Sequence, residues 1–200
     1  MILTALQNKS SEHITIVWET GEETLTTLGV VAEFRLFAGC DVDSETVLRI
    51  RQRSSAALLR EKALEWISRR QFSAKELSMK MLQNGATPED IDAVIAWLAD
   101  HHYIDEQLYA YAVVHHYSSK GYGIGRVRAE LSRRGIPREY WEDALLEYSD
   151  PAEKLDSILA KKLTDPFDQK QVQKAAAFLY RRGYSWHEIQ DAIERIRINE

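Results

Sequence analysis

Three glycines do most to limit what this chain can fold into. Gly85, Gly135 and Gly183 stand 50 and 48 residues apart, and one apolar code surrounds all three. Four positions before them are Met81, Leu131 and Leu179; eight before, Leu77, Val127 and Ala175; eleven before, Ala74, Ile124 and Val172. Six positions after come Ile91, Trp141 and Ile189, and ten after, Ile95, Leu145 and Ile193. Such offsets trace one face of a helix, and a glycine just past that face suits the left-handed position that ends many helices. "LSRRGIPREYWEDAL" and "LYRRGYSWHEIQDAI" show the likeness by eye. The spacing predicts three tandem three-helix units, the periodicity of a stacked helical array.

Helix starts agree with these stripes. Ser73-x-x-Glu76, Asp168-x-x-Gln171 and Ser185-x-x-Glu188 read as capping boxes. Thr87-Pro88 gives a cap followed by proline at the first helical position. Asp105 caps a helix to about Ser119, and Pro151 begins one carrying Leu155, Ile158 and Leu159. Leu59, Ala63, Trp66 and Ile67 form the leading stripe of the first copy. The expected repeats are 54–104, 105–149 and 150–198.

Residues 1–50 read differently. Ile14, Ile16 and Trp18 alternate within HITIVWE, ETGEE supplies a turn, and the β-branched run TLTTLGVVAEFRLF ends at AGCD. This predicts a β hairpin or three-stranded meander packed on the helical part of the chain, since a lone hairpin is marginal in water. Arg49, Arg51 and Arg53 then alternate in an expected linker. The fold class is mainly α: an elongated array of three tandem three-helix repeats behind a small β-rich N-terminal extension.

Composition narrows the function. Among 200 residues there is one cysteine, Cys40, which excludes an internal disulfide framework. No apolar run approaches the ~20 residues of a membrane span, and MILTALQNKSSEH lacks the pattern of an export signal. A cytoplasmic location is expected. The net charge of −5 conceals segregation: −6 over 1–48, +6 over 49–80, −6 over 81–119, +5 over 120–138 and −4 over 139–200. A surface that gripped nucleic acid throughout would usually be basic overall. Basic islands in an acidic chain suit a partner offering both signs of charge, such as a protein–DNA complex.

Catalytic constellations are missing from the pattern. His101-His102 and His115-His116 are adjacent pairs, which point about 100° apart on a helix and do not naturally chelate one metal. Gly121-Tyr122-Gly123-Ile124-Gly125 has neither a preceding parallel strand nor a following Lys-Ser/Thr. It reads as a flexible turn whose N–H groups are free for a phosphate or carboxylate. No catalytic residue, metal or cofactor is expected.

The cations carry more. On an ideal helix Arg126 and Arg133 project about 130–150° from the buried side set by Ile124, Val127 and Leu131, about 10.5 Å apart. Registered on the glycines, Lys174 and Arg181 take the same places in the third copy, whereas the first has Glu76 and Gln83. This cationic stripe, with Arg128 on the same helix, suits phosphates or an acidic groove. Arg69, Arg70 and Lys75 add charge around the first copy. Lys120 and Tyr122 sit in the glycine turn, the tyrosine placed to stack on a base. Arg134 and Arg182, next to the glycines, read as cations favoured by the dipole of their own helix.

The strings ALEWISRRQFSAKEL, LADHHYIDEQLYAYAVVHHYSSKGYGIGRVRAELSRRGI and FLYRRGYSWHEIQDAI, across roughly residues 56–196, resemble the RecX regulatory proteins. K-G-Y-G-x-x-R-V-R-x-E-L-x-x-R-G-I is the specific part. The resemblance implies an all-α, non-enzymatic modulator of three tandem three-helix repeats. Such a protein binds the RecA recombinase filament in its groove, restrains RecA's ATPase, strand-exchange and coprotease functions in DNA repair, recombination and the SOS response, and also binds single- and double-stranded DNA. A monomer is expected. Two departures stand out. Asp105-Glu106-Gln107 replaces the family's two aspartates and arginine, and Val113, Val114, His115 and His116 stand where an arginine is common. Both lower the positive charge of this helix. The competing readings are a helix-turn-helix DNA-binding transcriptional regulator, disfavoured by the acidic total charge and the tandem copies, and a structural adaptor.

Overall fold

The computed structural model describes residues 1–148 and 152–199. It divides into two compact units, Met1–Phe72 with Glu76–Ile104, and Ser73–Lys75 with Asp105 onward. Pro151, read as a helix start, lies outside the described residues, as does the expected boundary at 149/150.

The first unit opens with three antiparallel strands in the order β1 (Leu3–Asn8), β2 (His13–Trp18) and β3 (Glu23–Thr27). Leu3 pairs with Trp18, Leu6 with Ile16, and Ile16 with Thr24. The meander is as expected, but its third strand comes from the chain's first residues. Of TLTTLGVVAEFRLF only the beginning is strand. Thr27 accepts the Val30 N–H through its hydroxyl and starts helix α1, Leu28–Glu33. Val30 is buried there, with Val31 and Phe34 packed against the same cluster. Neighbours at helical spacing override the β preference of this run, because that preference mostly reports packing.

A second correction concerns the linker. Helix α2 runs unbroken from Ser44 to Arg69, and the Asp43 carboxylate caps it by accepting the Thr46 N–H at 2.8 Å. Arg49, Arg51 and Arg53 are therefore helical. Arg51 pairs with Glu22, Arg53 with Glu33 at 3.5 Å, and Arg49 lies over the Phe34 ring. Val47, Ile50, Ser54 and Ala57 bury one side of α2, and Leu59 and Ala63 bury nearly the opposite side. At about 100° per residue these do not form one stripe, so periodicity catches only the second half. The buried Ser54 hydroxyl donates to the Ile50 carbonyl and sits 2.8 Å from the Thr26 hydroxyl, which ties α2 to β3. Helices α3 (Ala74–Gln83) and α4 (Pro88–Asp100) complete the first copy, with Thr87 capping α4 as read.

The second unit holds α5 (Glu106–Ser119), α6 (Ile124–Arg134), a 3-10 turn at Arg138–Tyr140, α7 (Trp141–Leu146), α8 (Ala152–Lys162), α9 (Gln169–Arg181) and α10 (Trp186–Asn199). Asp105 caps α5 through the Leu108 N–H. Ser185 and Glu188 make both bonds of the capping box, at 2.6 and 3.2 Å. Gln171 does not close a box with Asp168; its side-chain oxygen instead accepts from Thr164 and Asp165 in the preceding loop. Val113, Val114, Val127 and Leu131 centre one core, and Leu159, Leu179 and Ile189 centre another.

The three glycines sit in one environment. All have positive φ, at 83°, 71° and 93°. The next residues along, Ala86, Ile136 and Tyr184, donate N–H bonds to Met81, Leu131 and Leu179, and the glycines donate to Leu82, Ser132 and Tyr180. These are three copies of the Schellman helix ending. Met81, Leu131 and Leu179 are fully buried.

Candidate functional site

Two glycine corners in the second unit do more than end helices. The Gly123 N–H donates to the Arg182 carbonyl and the Gly125 N–H to the Gly183 carbonyl, both at 3.0 Å. The Ser73 hydroxyl likewise donates to the Arg134 carbonyl, and the Glu106 carboxylate accepts the Ala74 N–H at 2.7 Å. On the glycine register Ser73 matches Gly123, and Arg134 matches Arg182. The two junctions are thus one device used twice: the Arg-Gly corner ending one helix closes on the start of its counterpart 48 or 50 residues earlier. This overturns the reading of Gly121–Gly125 as a free anion-holding turn, because the N–H groups of Gly123 and Gly125 are already engaged.

Arg182 does not serve the end of its own helix. Its guanidinium donates to the Gly121 carbonyl at 3.0 Å and to the Lys120 carbonyl, and it covers the Tyr122 ring at 4.4 Å. Lys154 donates to the Ser118 and Ser119 carbonyls, both at 3.1 Å. Two cations from the third copy therefore satisfy the carbonyl end of α5, where the helix dipole favours positive charge. Tyr122 is half-buried and edge-on to Tyr117, its other contact being Arg182, so its ring is occupied inside the protein. Arg134 bonds the Tyr109 hydroxyl.

The cationic stripe on α6 is built around a carboxylate that the stripe geometry overlooks. Glu130 is buried, with only 3% of its side chain exposed. Its Oε1 lies 2.8 Å from the Arg126 Nη2, and its Oε2 accepts from Arg133 Nη2 and Nε at 2.7 and 3.0 Å. Arg134 Nε stands 3.8 Å from the same oxygen. Burial opposes ionisation of Glu130. The hydrogen bond and charge of Arg133, the Tyr117 hydroxyl and the charge of Arg126 together outweigh it and hold the carboxyl below the usual glutamate range. The spacing 126/130/133 could have shown this, since i,i+4 and i,i+3 partners meet on a helix.

Arg126 and Arg133 remain exposed at 45% and 63%. In the third copy Phe178 replaces Glu130, and Lys174 and Arg181 are exposed with no hydrogen-bond or ion-pair partner among the described residues. Arg128 is in the same state. Arg126 and Arg181 line one open groove of about 420 Å³ with Tyr180, whose side chain is 65% exposed. Tyr180 is the exposed aromatic beside the cations, a place the sequence reading gave to Tyr122. Around the first copy, Arg69 pairs with Glu65, and Arg70 pairs with Glu76 and lies 3.5 Å over Phe72. Lys75 runs its stem along Gly135, and Lys120 is exposed at the end of α5. Among the described residues no group of three metal-binding side chains converges, and no helix is long and apolar enough to cross a membrane.

The family profiles for the first, second and third three-helix domains of RecX match residues 60–98, 105–145 and 150–193. This chain belongs to the RecX family. The regulatory protein RecX of Salmonella arizonae is 33% identical over 153 residues, covering 70% of this chain and 92% of its own length. That of Vibrio parahaemolyticus is 32% identical over 137 residues, 67% and 88% of the two chains. A crystal structure of regulatory protein RecX shares the fold with a TM-score of 0.73 at 20% identity, over 95% of this chain and 98% of that one. RecX from Lactobacillus salivarius gives 0.62 at 22% identity, over 72% and 97%. The RecX fold of three three-helix domains is thus present here, preceded by the small antiparallel sheet.

Proposed function

We propose that this RecX-family chain is a non-enzymatic, cytoplasmic modulator of the RecA recombinase filament that acts as a monomer and also contacts single- and double-stranded DNA. It alters RecA ATP hydrolysis, strand exchange and coprotease activity in DNA repair, recombination and the SOS response. The supporting observation is the groove where Arg126 and Arg181 meet beside exposed Tyr180, flanked by partnerless Arg128 and Lys174. Cations with an adjoining aromatic face suit phosphates and unstacked bases. An effect on the filament requires stronger binding to one of its states than to another.

The test is DNA-dependent ATP hydrolysis by RecA with the protein titrated in at fixed salt. A dose-dependent change in rate, lost at high salt, is expected. A rate unchanged up to a several-fold excess over RecA overturns the proposal.

A further inference from the structure

We infer that Glu130 is a positioning residue: it holds the Arg126 and Arg133 guanidiniums as a preset fork for phosphodiester oxygens, so that a buried negative charge strengthens the binding of a polyanion. This rests on the reading of α6 and α9 as a phosphate-facing surface.

Three observations carry it. Both oxygens of Glu130 are engaged, one by Arg126 and the other by two nitrogens of Arg133, while the carboxylate itself is shut off from solvent. The remaining nitrogens of both guanidiniums have no partner among the described residues, and both side chains are exposed. The matching positions in the other copies are Lys80 and Phe178. The repeat therefore does not need a carboxylate here for packing, and an apolar residue would avoid the desolvation that a buried charge incurs. What Glu130 does supply is order. Arginine loses considerable side-chain freedom when it docks, and a guanidinium already fixed in place loses less of it on binding. A fork held by one carboxylate still presents its outer N–H edge, the geometry that suits an oxyanion.

Tyr117 extends the same arrangement. It hydrogen-bonds Glu130 and meets Tyr122 edge-on at 5.3 Å, and Tyr122 lies under Arg182. The fork is thereby anchored to the locked junction between the second and third copies.

Glu130→Gln separates positioning from simple charge because the two act in opposite directions. The substitution adds one positive charge to the surface, so binding governed by total charge becomes tighter and its salt dependence steeper. Positioning predicts that a fluorescein-labelled single-stranded oligonucleotide binds roughly three- to ten-fold more weakly. A second variant, Arg126→Lys with Arg133→Lys, keeps the charge and removes the fork. It is expected to weaken binding by a similar factor with the salt slope unchanged. Thermal melts of both variants accompany the titrations. If Glu130→Gln melts below the assay temperature, the double lysine variant decides alone.

Unchanged or tighter binding by folded Glu130→Gln, or by the double lysine variant, overturns the inference. Lys174→Glu with Arg181→Glu tests the underlying surface separately. If that pair leaves oligonucleotide binding intact, the phosphate-facing reading itself fails; if it weakens binding while Glu130→Gln does not, only the role of Glu130 is lost.

Discussion

A side chain added at Gly183 would drive its Cβ into the backbone of Arg126, 2.8 Å from the Cα, in a residue already at φ +93°. Gly85 shares the left-handed backbone but has nothing within 4 Å of the same position. Gly85→Ala therefore carries only the conformational penalty, about 1 kcal/mol. Gly183→Ala adds the cost of forcing two backbones apart, for a total of about 3 kcal/mol or more. Chemical denaturation of the two variants side by side measures the difference, with Gly183→Ala much the more damaged.

Arg181 and Arg182 are sequence neighbours with separate tasks. Arg182→Ala strands the Gly121 and Lys120 carbonyls and uncovers Tyr122. A loss of about 1.5–3 kcal/mol is expected, the range for hydrogen bonds to a charged group. Arg181→Ala is expected to change stability by less than about 0.5 kcal/mol, while weakening oligonucleotide binding and lowering its salt slope by about 0.7. Melting curves and salt-titrated fluorescence anisotropy on both variants separate the two roles.

Charge reversal needs the right pair of residues. Arg126→Glu with Arg133→Glu leaves buried Glu130 beside two further carboxylates, with Arg134 3.8 Å away as its remaining cation. Breaking a buried ion pair costs about 3–5 kcal/mol, so lost binding by that variant would report unfolding. Lys174→Glu with Arg181→Glu breaks no ion pair among the described residues. It should keep the wild-type melting temperature and reduce the effect on RecA ATP hydrolysis.

Acid stability depends on Glu130. Its folded pKa lies below the ordinary glutamate value of 4.5, so the ionised form favours the folded state. That stabilisation is complete above about pH 4.5 and disappears as pH falls through the folded value. Denaturant midpoints of the wild type and Glu130→Gln, compared between pH 7 and pH 3, should converge as pH drops. A gap that stays constant over this window contradicts the assignment.

The apolar code around the glycines was readable because each stripe lies on one face of one helix. Met81, Leu131 and Leu179 are buried as that code requires. Helix α2 was half-hidden because its buried residues change sides along its length, and α1 because Val30 and Val31 look like strand until their neighbours are known. His102 shows a similar limit: it takes a left-handed φ of +57° at the end of α4, a position where glycine would be the obvious signal. At the candidate site the exposure of Arg126, Arg133, Lys174 and Arg181 was legible from helical phase. Which of them already had a partner was not, because that depends on one carboxylate lying beneath α6. Tyr122 and Tyr180 are equally plausible in the sequence, and only the placement of Arg182 over one of them tells them apart.

The paired corners also bear on how such a chain diversifies. The Lys75 stem fills the space beside Gly135, whereas Gly125 lets a backbone oxygen come within 2.9 Å of where its own side chain would start. Each corner is moulded to one particular mate, so the copies have drifted as couples and cannot be shuffled. An unequal exchange that moved the third corner opposite Lys75 would set a lysine stem against a carbonyl, and the ancestral freedom to gain or lose a copy is closed.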